Sequence, residues 1–401
     1  VMIPLLWSLP ETLIVAELAS MLPEEGGYYR WVYRAFGPFW AFQNGWWTWM
    51  YSLVDMAIYP VLFNQYLAFF IPGIEPATQW VISLVVIWTA TAINLRGAGR
   101  VGLVSVVSGT FILATFLAVA VASVPQITHA PWEPFGGRSE AGLSGIGVGL
   151  SIALWNYIGW DNASTVQGEV SDASRTYPRA LAVTLPLVTL GYLVPLTATL
   201  GASDWTQWRE GGWPDIARMS AGFLGEPLAI CLGAAGMLSA ISLFNALLLV
   251  YSRIPFAMAR DRLLPVALAR ADSRGIPRNA VLASAVCYSI FALLPFAHLV
   301  VADVLLYSMA LFLEFAALVA FRMKEPGLRG AFRIPLGTGG VIALSALPVT
   351  VLLVVTAILM TDGEYGAPAI VGALVATAVG PLAYRLMSRS ARNGSIGESR
   401  D

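Results

Sequence analysis

The sequence predicts an all-α polytopic membrane protein, on three observations. Lys and Arg number 23 and Asp and Glu 24 in 401 residues, only 12% charged, where soluble globular chains carry about 25%. Hydrophobic residues make up 57% and the mean hydropathy is +0.71. The apolar residues fall in long runs without two-residue alternation, the pattern of membrane helices rather than barrel strands.

A helix needs about 20 mostly apolar residues to cross a bilayer. Eleven stretches qualify, roughly 1–21, 40–71, 77–95, 102–124, 142–168, 180–200, 227–252, 279–298, 301–321, 340–360 and 366–386. They form one transmembrane domain over 1–386 that leaves no room for a separate soluble domain. The polar, Gly/Ser-rich tail at 387–401 is expected to be disordered. The loop at 201–226 carries Trp205, Trp208 and Trp213 and is expected at the lipid–water interface.

Basic residues set the orientation. Alternate loops and the tail hold 20 of the 23, and the opposite loops hold only Arg138, Arg209 and Arg218. The C-terminus is therefore expected in the cytoplasm. Eleven spans would put the N-terminus outside. Val1 opens directly inside an apolar run with no flanking basic residue, so one further span is expected upstream, which would bring both ends inside.

Composition also excludes function classes. A net charge of −1 gives no basic footprint for nucleic acid. Cys231 and Cys287 are too few for a disulfide framework. His129 and His298 are too far apart in sequence to form a metal pair on one helix. The chain has no HExxH, no GxSxG followed by a histidine and no Gly-rich phosphate loop, so neither an enzyme nor a cofactor is expected, and membrane lipid is the surrounding partner. Self-association into a homo-oligomer is compatible with the sequence.

Acids inside the apolar stretches carry the functional signal, because each costs about 2.5–3.5 kcal/mol at mid-membrane on insertion scales. Five stand out: Glu11 and Glu17 in the first stretch, Asp55 in the second, Asp161 in the fifth and Glu314 in the ninth. No Lys or Arg is expected deep in a span to neutralise them. Such an interior favours a cationic cargo, a coupling proton, or both, and disfavours an anion pore. Glu17 lies near the end of its stretch, where a structural hydrogen bond competes with a proton-coupling role. Glu11 follows Pro10 and fits a first-turn acid at a kink. Tyr51, Asp55 and Tyr59 recur at i, i+4 and i+8 on one face, a stripe suited to a cation by charge and by ring contact. Tyr307, Leu311 and Glu314 share a face in the ninth stretch, with Glu314 a candidate carboxylate for a proton or cation.

The fifth stretch, GIGVGLSIALWNYIGWDNASTVQGEV at 145–170, is the most informative. Gly145, Gly147, Gly149 and Gly159 weaken a helix that also carries Asn156, Asp161 and Asn162. A helix broken at mid-membrane exposes backbone groups that hold charged substrate atoms. Trp155, Asn156, Tyr157, Ile158, Gly159, Trp160 and Asp161 are the expected binding segment.

The run PETLIVAELASMLPEEGGYYRWVYRAFGPFWAFQNGWWTWMYSLVDMAIYPVLF at 10–63 resembles the amino acid–polyamine–organocation permeases, as do LWNYIGWDNAS at 154–164, RDRLLP at 260–265 and LEFAALVAFRMKEPGLRGAFRIPLGT at 313–338. VDMAIYPVLF and LRGAFRIPLG are most similar to the branch of polyamine uptake transporters and their amino-acid-transporting relatives. The resemblance implies a five-plus-five inverted repeat followed by two extra helices, with this chain starting at the second helix of that plan. It implies that Trp155 matches an aromatic gate, that Ile158 and Gly159 match the unwound segment, and that Asp161 matches an acid used in proton-sensitive transport. It also places Phe244 and Asn245 on the pocket side of the eighth helix. The expected function is a secondary active transporter in the plasma membrane moving polyamines or cationic amino acids, coupled to protons. The alternatives are a neutral amino acid permease or exchanger, with Asp161 as the proton site, and a cation channel.

Overall fold

The computed structural model describes residues 2–96, 105–133, 145–168, 170–208, 212–273, 275–361 and 367–387. Helix α1 (Leu9–Met21) is entered by one π turn at Pro4–Ser8. Helices α2 (Gly27–Phe36), α3 (Pro38–Phe70) and α4 (Pro76–Asn94) follow, then α5 (Ser105–Gln126) and the short α6 (Gly145–Trp155). After a break come α7 (Ala173–Ala202), α8 (Trp213–Ser220), α9 (Gly225–Tyr251) and α10 (Arg253–Arg260). The chain continues through α11 (Arg278–Phe291), α12 (Phe296–Lys324) and α13 (Thr338–Leu359) to α14 (Ala367–Met387).

Each of the eleven apolar stretches contains a helix. Eight helical stretches among the described residues are long and apolar enough to cross a membrane by themselves. The first, fifth and eighth stretches fall short. Helix α11 ends at Phe291, and α12 starts at Phe296 rather than near 301, with Pro295 in an extended conformation at its N-cap. The fifth stretch ends as an α-helix at Trp155. The tail expectation lies outside the described residues from 388 onward.

Helix α3 is the hub. It packs against α2, α4, α9, α11, α12 and α14, and its 33 residues span about 50 Å at 1.5 Å per residue. Asn64, one turn after Pro60, donates to Gln79 O and to Ser83 Oγ, both at 2.8 Å, tying α3 to α4. The indole N–H groups of Trp46 and Trp47 donate to the carbonyls of Ala376 and Thr377 on α14. Helix α12 is the most buried span, with 67% of its apolar window inside the protein, against 11% for α7.

The glycine pair in PEEGGYY has a steric reason. Gly27 has φ +37°, and a Cβ there would overlap the Ser164 side chain. The start of α2 therefore rests directly on the segment after the break, fixed by Gly26 N–H donating to Thr165 O at 3.0 Å.

Basic side chains gather where α2, α10 and the end of α12 meet. Arg30 pairs with Asp261 at 3.0 Å and Arg34 with Glu325 at 2.7 Å. There the structure corrects the expectation of an interior without cations. Arg322 and Glu17 pair at 2.5 Å with both side chains 2% exposed. Ile334 N–H donates to the same carboxylate at 2.8 Å, and the guanidinium also donates to the carbonyls of Ile334 and Leu336. Glu17 is thus tied to a cation and anchors the loop after α12 onto α1.

Removing one partner of a buried pair strands the other charge, at a cost of about 3–5 kcal/mol. Glu17→Gln and Arg322→Met are each expected to lower the melting temperature of detergent-purified protein. The double substitution is expected to recover most of the loss. Additive losses in the double variant would show that the pair is not coupled.

Candidate functional site

Chain geometry at the break follows from its glycine. Residues 156–161 leave the helix, and a 3-10 segment begins at Asn162. Gly159 has φ +88°, and a Cβ there would lie 2.7 Å from Asn162 Nδ2. A left-handed backbone conformation at that position favours glycine. The turn is closed by Asn162 N–H donating to Gly159 O at 3.2 Å and by Ser164 N–H donating to Asp161 O at 2.8 Å.

The turn delivers Asp161 to a cluster of buried acids. Asp161 Oδ1 lies 2.8 Å from Tyr307 Oη, and Glu11 Oε1 lies 2.5 Å from the same oxygen. Gly159 N–H donates to that oxygen at 3.1 Å. Glu314, also fully buried, is within electrostatic reach of both acids. Among the described residues no ion pair reaches Glu11, Asp161 or Glu314. A phenol has one hydrogen to donate. Tyr307 can satisfy one of the two carboxylates, so the other contact closes only if that carboxyl group is protonated and donates to Tyr307 Oη. The hydrogen bonding of Glu11, Tyr307 and Asp161 therefore requires one shared proton.

A second acid group lies beside the first. Asp55 accepts from Tyr59 Oη at 3.2 Å, Trp155 Nε1 at 3.2 Å and Tyr251 Oη at 2.8 Å. Asn162 links the two groups, accepting from Tyr51 Oη at 3.0 Å and donating to Tyr251 Oη at 3.1 Å. The Tyr51 ring meets those of Tyr251 and Tyr307 edge-on at 5.7 and 5.2 Å. Trp155, the last residue of α6, packs between Tyr59 and Phe296.

Beside the break opens a cleft of about 430 Å³, lined by Asn156, Ile158, Gly159 and Trp160 on one side and by Tyr177, Thr184 and Tyr192 of α7 on the other. Tyr177 Oη donates to Trp160 O at 2.6 Å, fixing the cleft to the break. Trp160 Nε1 donates to the Tyr157 carbonyl and Asn156 Nδ2 to the Ile152 carbonyl. The Tyr157 ring packs on Tyr192.

Of the residues chosen from sequence, Trp155, Gly159, Asp161, Asp55, Tyr59, Tyr307 and Glu314 gather in this acid–tyrosine core, and Asn156, Ile158 and Trp160 line the cleft. Phe244 and Asn245 are not brought to it: Phe244 packs on Tyr288, and Asn245 hydrogen-bonds Asn94. Glu17 belongs to the Arg322 pair instead. Sequence reasoning missed Tyr251, Asn162 and the central place of Glu11. Tyr251 had a usable signal, since Phe244, Leu248 and Tyr251 share one face of α9.

The family model described as amino acid permease matches residues 1–379. A probable polyamine transporter of Arabidopsis thaliana is 36% identical over 356 residues, covering 88% of this chain and 70% of that protein. Polyamine transporter PUT1 of Oryza sativa subsp. japonica is 34% identical over 361 residues, covering 89% and 66%. The aromatic amino acid transport protein AroP of Escherichia coli is 26% identical over 296 residues, covering 70% and 64%. With its all-helical fold and its broken helix beside buried acids, the chain belongs to the amino acid permease family and is a multi-pass membrane transporter rather than an enzyme.

Proposed function

We propose that this chain is the carrier of an organic cation, a polyamine foremost and a cationic amino acid next, and that it couples movement of that cation to a proton. One observation carries the reading. Glu11, Asp55, Asp161 and Glu314 are all buried at the core, while the buried Arg322 at the edge is already paired with Glu17. A site with surplus negative charge recruits cations. The relatives named as polyamine transporters support the same cargo class.

The cargo enters by the cleft beside Gly159 and Trp160, where its ammonium group meets the acid end of the broken helix and its carbon chain meets aromatic faces. The proton resides on the Glu11–Tyr307–Asp161 group. We read the end of the molecule that carries Arg30, Arg34, Arg260 and Arg322 as cytoplasmic, on the positive-inside rule, in the plasma membrane. An inward-negative potential then contributes about 2.3 kcal/mol per charge per 100 mV to uptake. A second reading, an amino acid permease for neutral or aromatic cargo, is favoured by the aromatic lining of the cleft and by the similarity to AroP. There Asp161 serves the proton alone.

Uptake of labelled putrescine, spermidine, arginine and leucine by cells expressing the full-length protein, with and without a protonophore, separates the two readings. Saturable putrescine uptake abolished by the protonophore is expected. Uptake of leucine alone would select the second reading, and unsaturated current would mean a channel.

Two substitutions test the site. If the shared proton must be loaded before uptake, wild-type uptake falls as external pH rises through its release. Asp161→Asn keeps size and hydrogen bonding but cannot titrate. Its pH curve is expected to be flat, with a rate at the acidic optimum reduced about tenfold or more, equivalent to about 1.4 kcal/mol. Curves that superimpose at equal surface expression would leave Asp161 structural. Gly159→Ala forces a side chain into the left-handed region against Asn162, a strain of roughly 1–2 kcal/mol. It is expected to abolish uptake while expression and helix content persist, measured by surface labelling and circular dichroism.

A further inference from the structure

Asp303, on α12, is fully buried, and neither of its carboxylate oxygens has a hydrogen-bond partner. One helical turn separates it from Tyr307 on the same face. It lies within electrostatic reach of Asp55, and of Tyr51, Tyr59 and Tyr251, the side chains around Asp55. Among the described residues no ion pair reaches either aspartate. The two acids are unequally supplied. Asp55 has three donors, from Tyr59, Trp155 and Tyr251, and Asp303 has none. Donors stabilise the ionised form of a carboxyl group, and burial without donors disfavours it. Of the pair, Asp55 is therefore the group suited to carry the charge and Asp303 the group suited to carry the proton.

We propose that Asp55 and Asp303 form a second cation site, which takes the distal primary ammonium group of a diamine as Asp303 gives up its proton. The inference rests on the carrier reading above and specifies its cargo. Before entry the pair holds one proton and a net charge of −1. After entry it holds one ammonium group between two carboxylates, again −1, and the proton has left to water. The exchange adds no net charge to a buried site, so it avoids the penalty that a bare second carboxylate or a bare ammonium would carry.

Spacing supports a diamine over a monoamine. Asp303 and Tyr307 are offset along α12 by about 6 Å, four residues at 1.5 Å each. The Asp55–Asp303 pair and the Glu11–Tyr307–Asp161 group are thus two acidic positions about one helical turn apart, a separation that an extended four-carbon diamine can bridge. Between them lie the Tyr51 ring and the Asn162 amide, which offer a π face and hydrogen bonds but no positive charge. The titratable groups facing the pair are Tyr51 and Tyr59 from α3, Tyr251 from α9, Tyr288 from α11 and Tyr307 on α12 itself. They remain phenols over the physiological range, leaving the aspartates as the groups that exchange charge.

The test is competition against labelled putrescine uptake by unlabelled putrescine and by n-butylamine, which has the same carbon chain and one ammonium group. In cells expressing the full-length wild type, putrescine is expected to compete at least about tenfold better, or about 1.4 kcal/mol. Asp303→Asn matches the neutral acid in shape but cannot ionise, and it is expected to bring the two competitors within about threefold of each other, or about 0.7 kcal/mol. Asp303→Glu restores the charge on a longer arm and is expected to keep the diamine preference. The ratio within each variant is independent of expression. If Asp303→Asn does not transport, the same ratio is read from ligand-induced thermal shifts of the purified protein. A wild-type ratio retained in Asp303→Asn overturns the proposal, as does equal loss in Asp303→Asn and Asp303→Glu. Putrescine uptake without a diamine preference defeats this inference and leaves the carrier reading standing. No saturable amine uptake at all defeats both.

Discussion

A carboxyl group in the apolar interior of a membrane protein must find a cation, a set of donors or a proton, and the arrangement of this molecule follows from how those three are distributed. Glu17 has the cation, Arg322, together with the backbone N–H of Ile334. Asp55 has donors, two phenols and an indole. Glu11 and Asp161 have Tyr307, whose single hydrogen leaves one of them in need of a proton. The first solution is static, because the ion pair also pins a loop onto a helix. The other two are labile, since a phenol can turn and a proton can leave. The charge-bearing part of the core is therefore divided into an anchor near the arginine-rich end and an exchangeable region around the break.

The break makes the exchangeable region. An unbroken helix through 145–168 would spend the Gly159 N–H on its own backbone. Leaving the helix at Trp155 frees that N–H for Tyr307 and turns Asp161 inward beside it. The opposite side of the same turn is held by packing that only glycine allows, where Gly27 rests on Ser164. The EEGGYY segment and the WNYIGWDN segment thus depend on each other. One supplies a surface without side chains, and the other supplies a turn that needs such a surface.

Much of this was legible in the sequence, for definite reasons. Long apolar runs fix the spans whatever their packing. Glycine and polar residues inside the run at 145–170 mark a break because a continuous lipid-facing helix could not afford them. The acids at 11, 55, 161 and 314 could be picked out as costly. What the sequence withheld was partnership. Arg322 sits in a cluster of basic residues that reads as a loop, and nothing in the order of residues says that its long side chain turns inward to Glu17, 305 positions away. Glu11 read as a first-turn acid beside a proline because its partner, Tyr307, is 296 residues distant. Asp303 falls where the expected span began and was not among the acids picked out. The span in fact starts at Phe296 and carries Asp303 into the core. Phe244 and Asn245 were one to two turns from the residue on their own helix that reaches the site, a distance well within the error of a register set by resemblance alone.

Helix α12 shows why these groups belong to one device. Phe296, Asp303, Tyr307, Glu314 and Arg322 follow one another along it. The first packs on Trp155, the next three meet acids from other elements, and the last forms the anchor pair. Asp303 and Glu314 are separated by about 16 Å of helix rise, roughly half the hydrocarbon thickness of a bilayer. Two carboxyl groups so far apart cannot serve one small cation together. They can serve one at different depths, with Tyr307 between them. Under the proposed function α12 presents acids at successive depths to the cargo, and its ion pair with Glu17 of α1 holds one end of it in place.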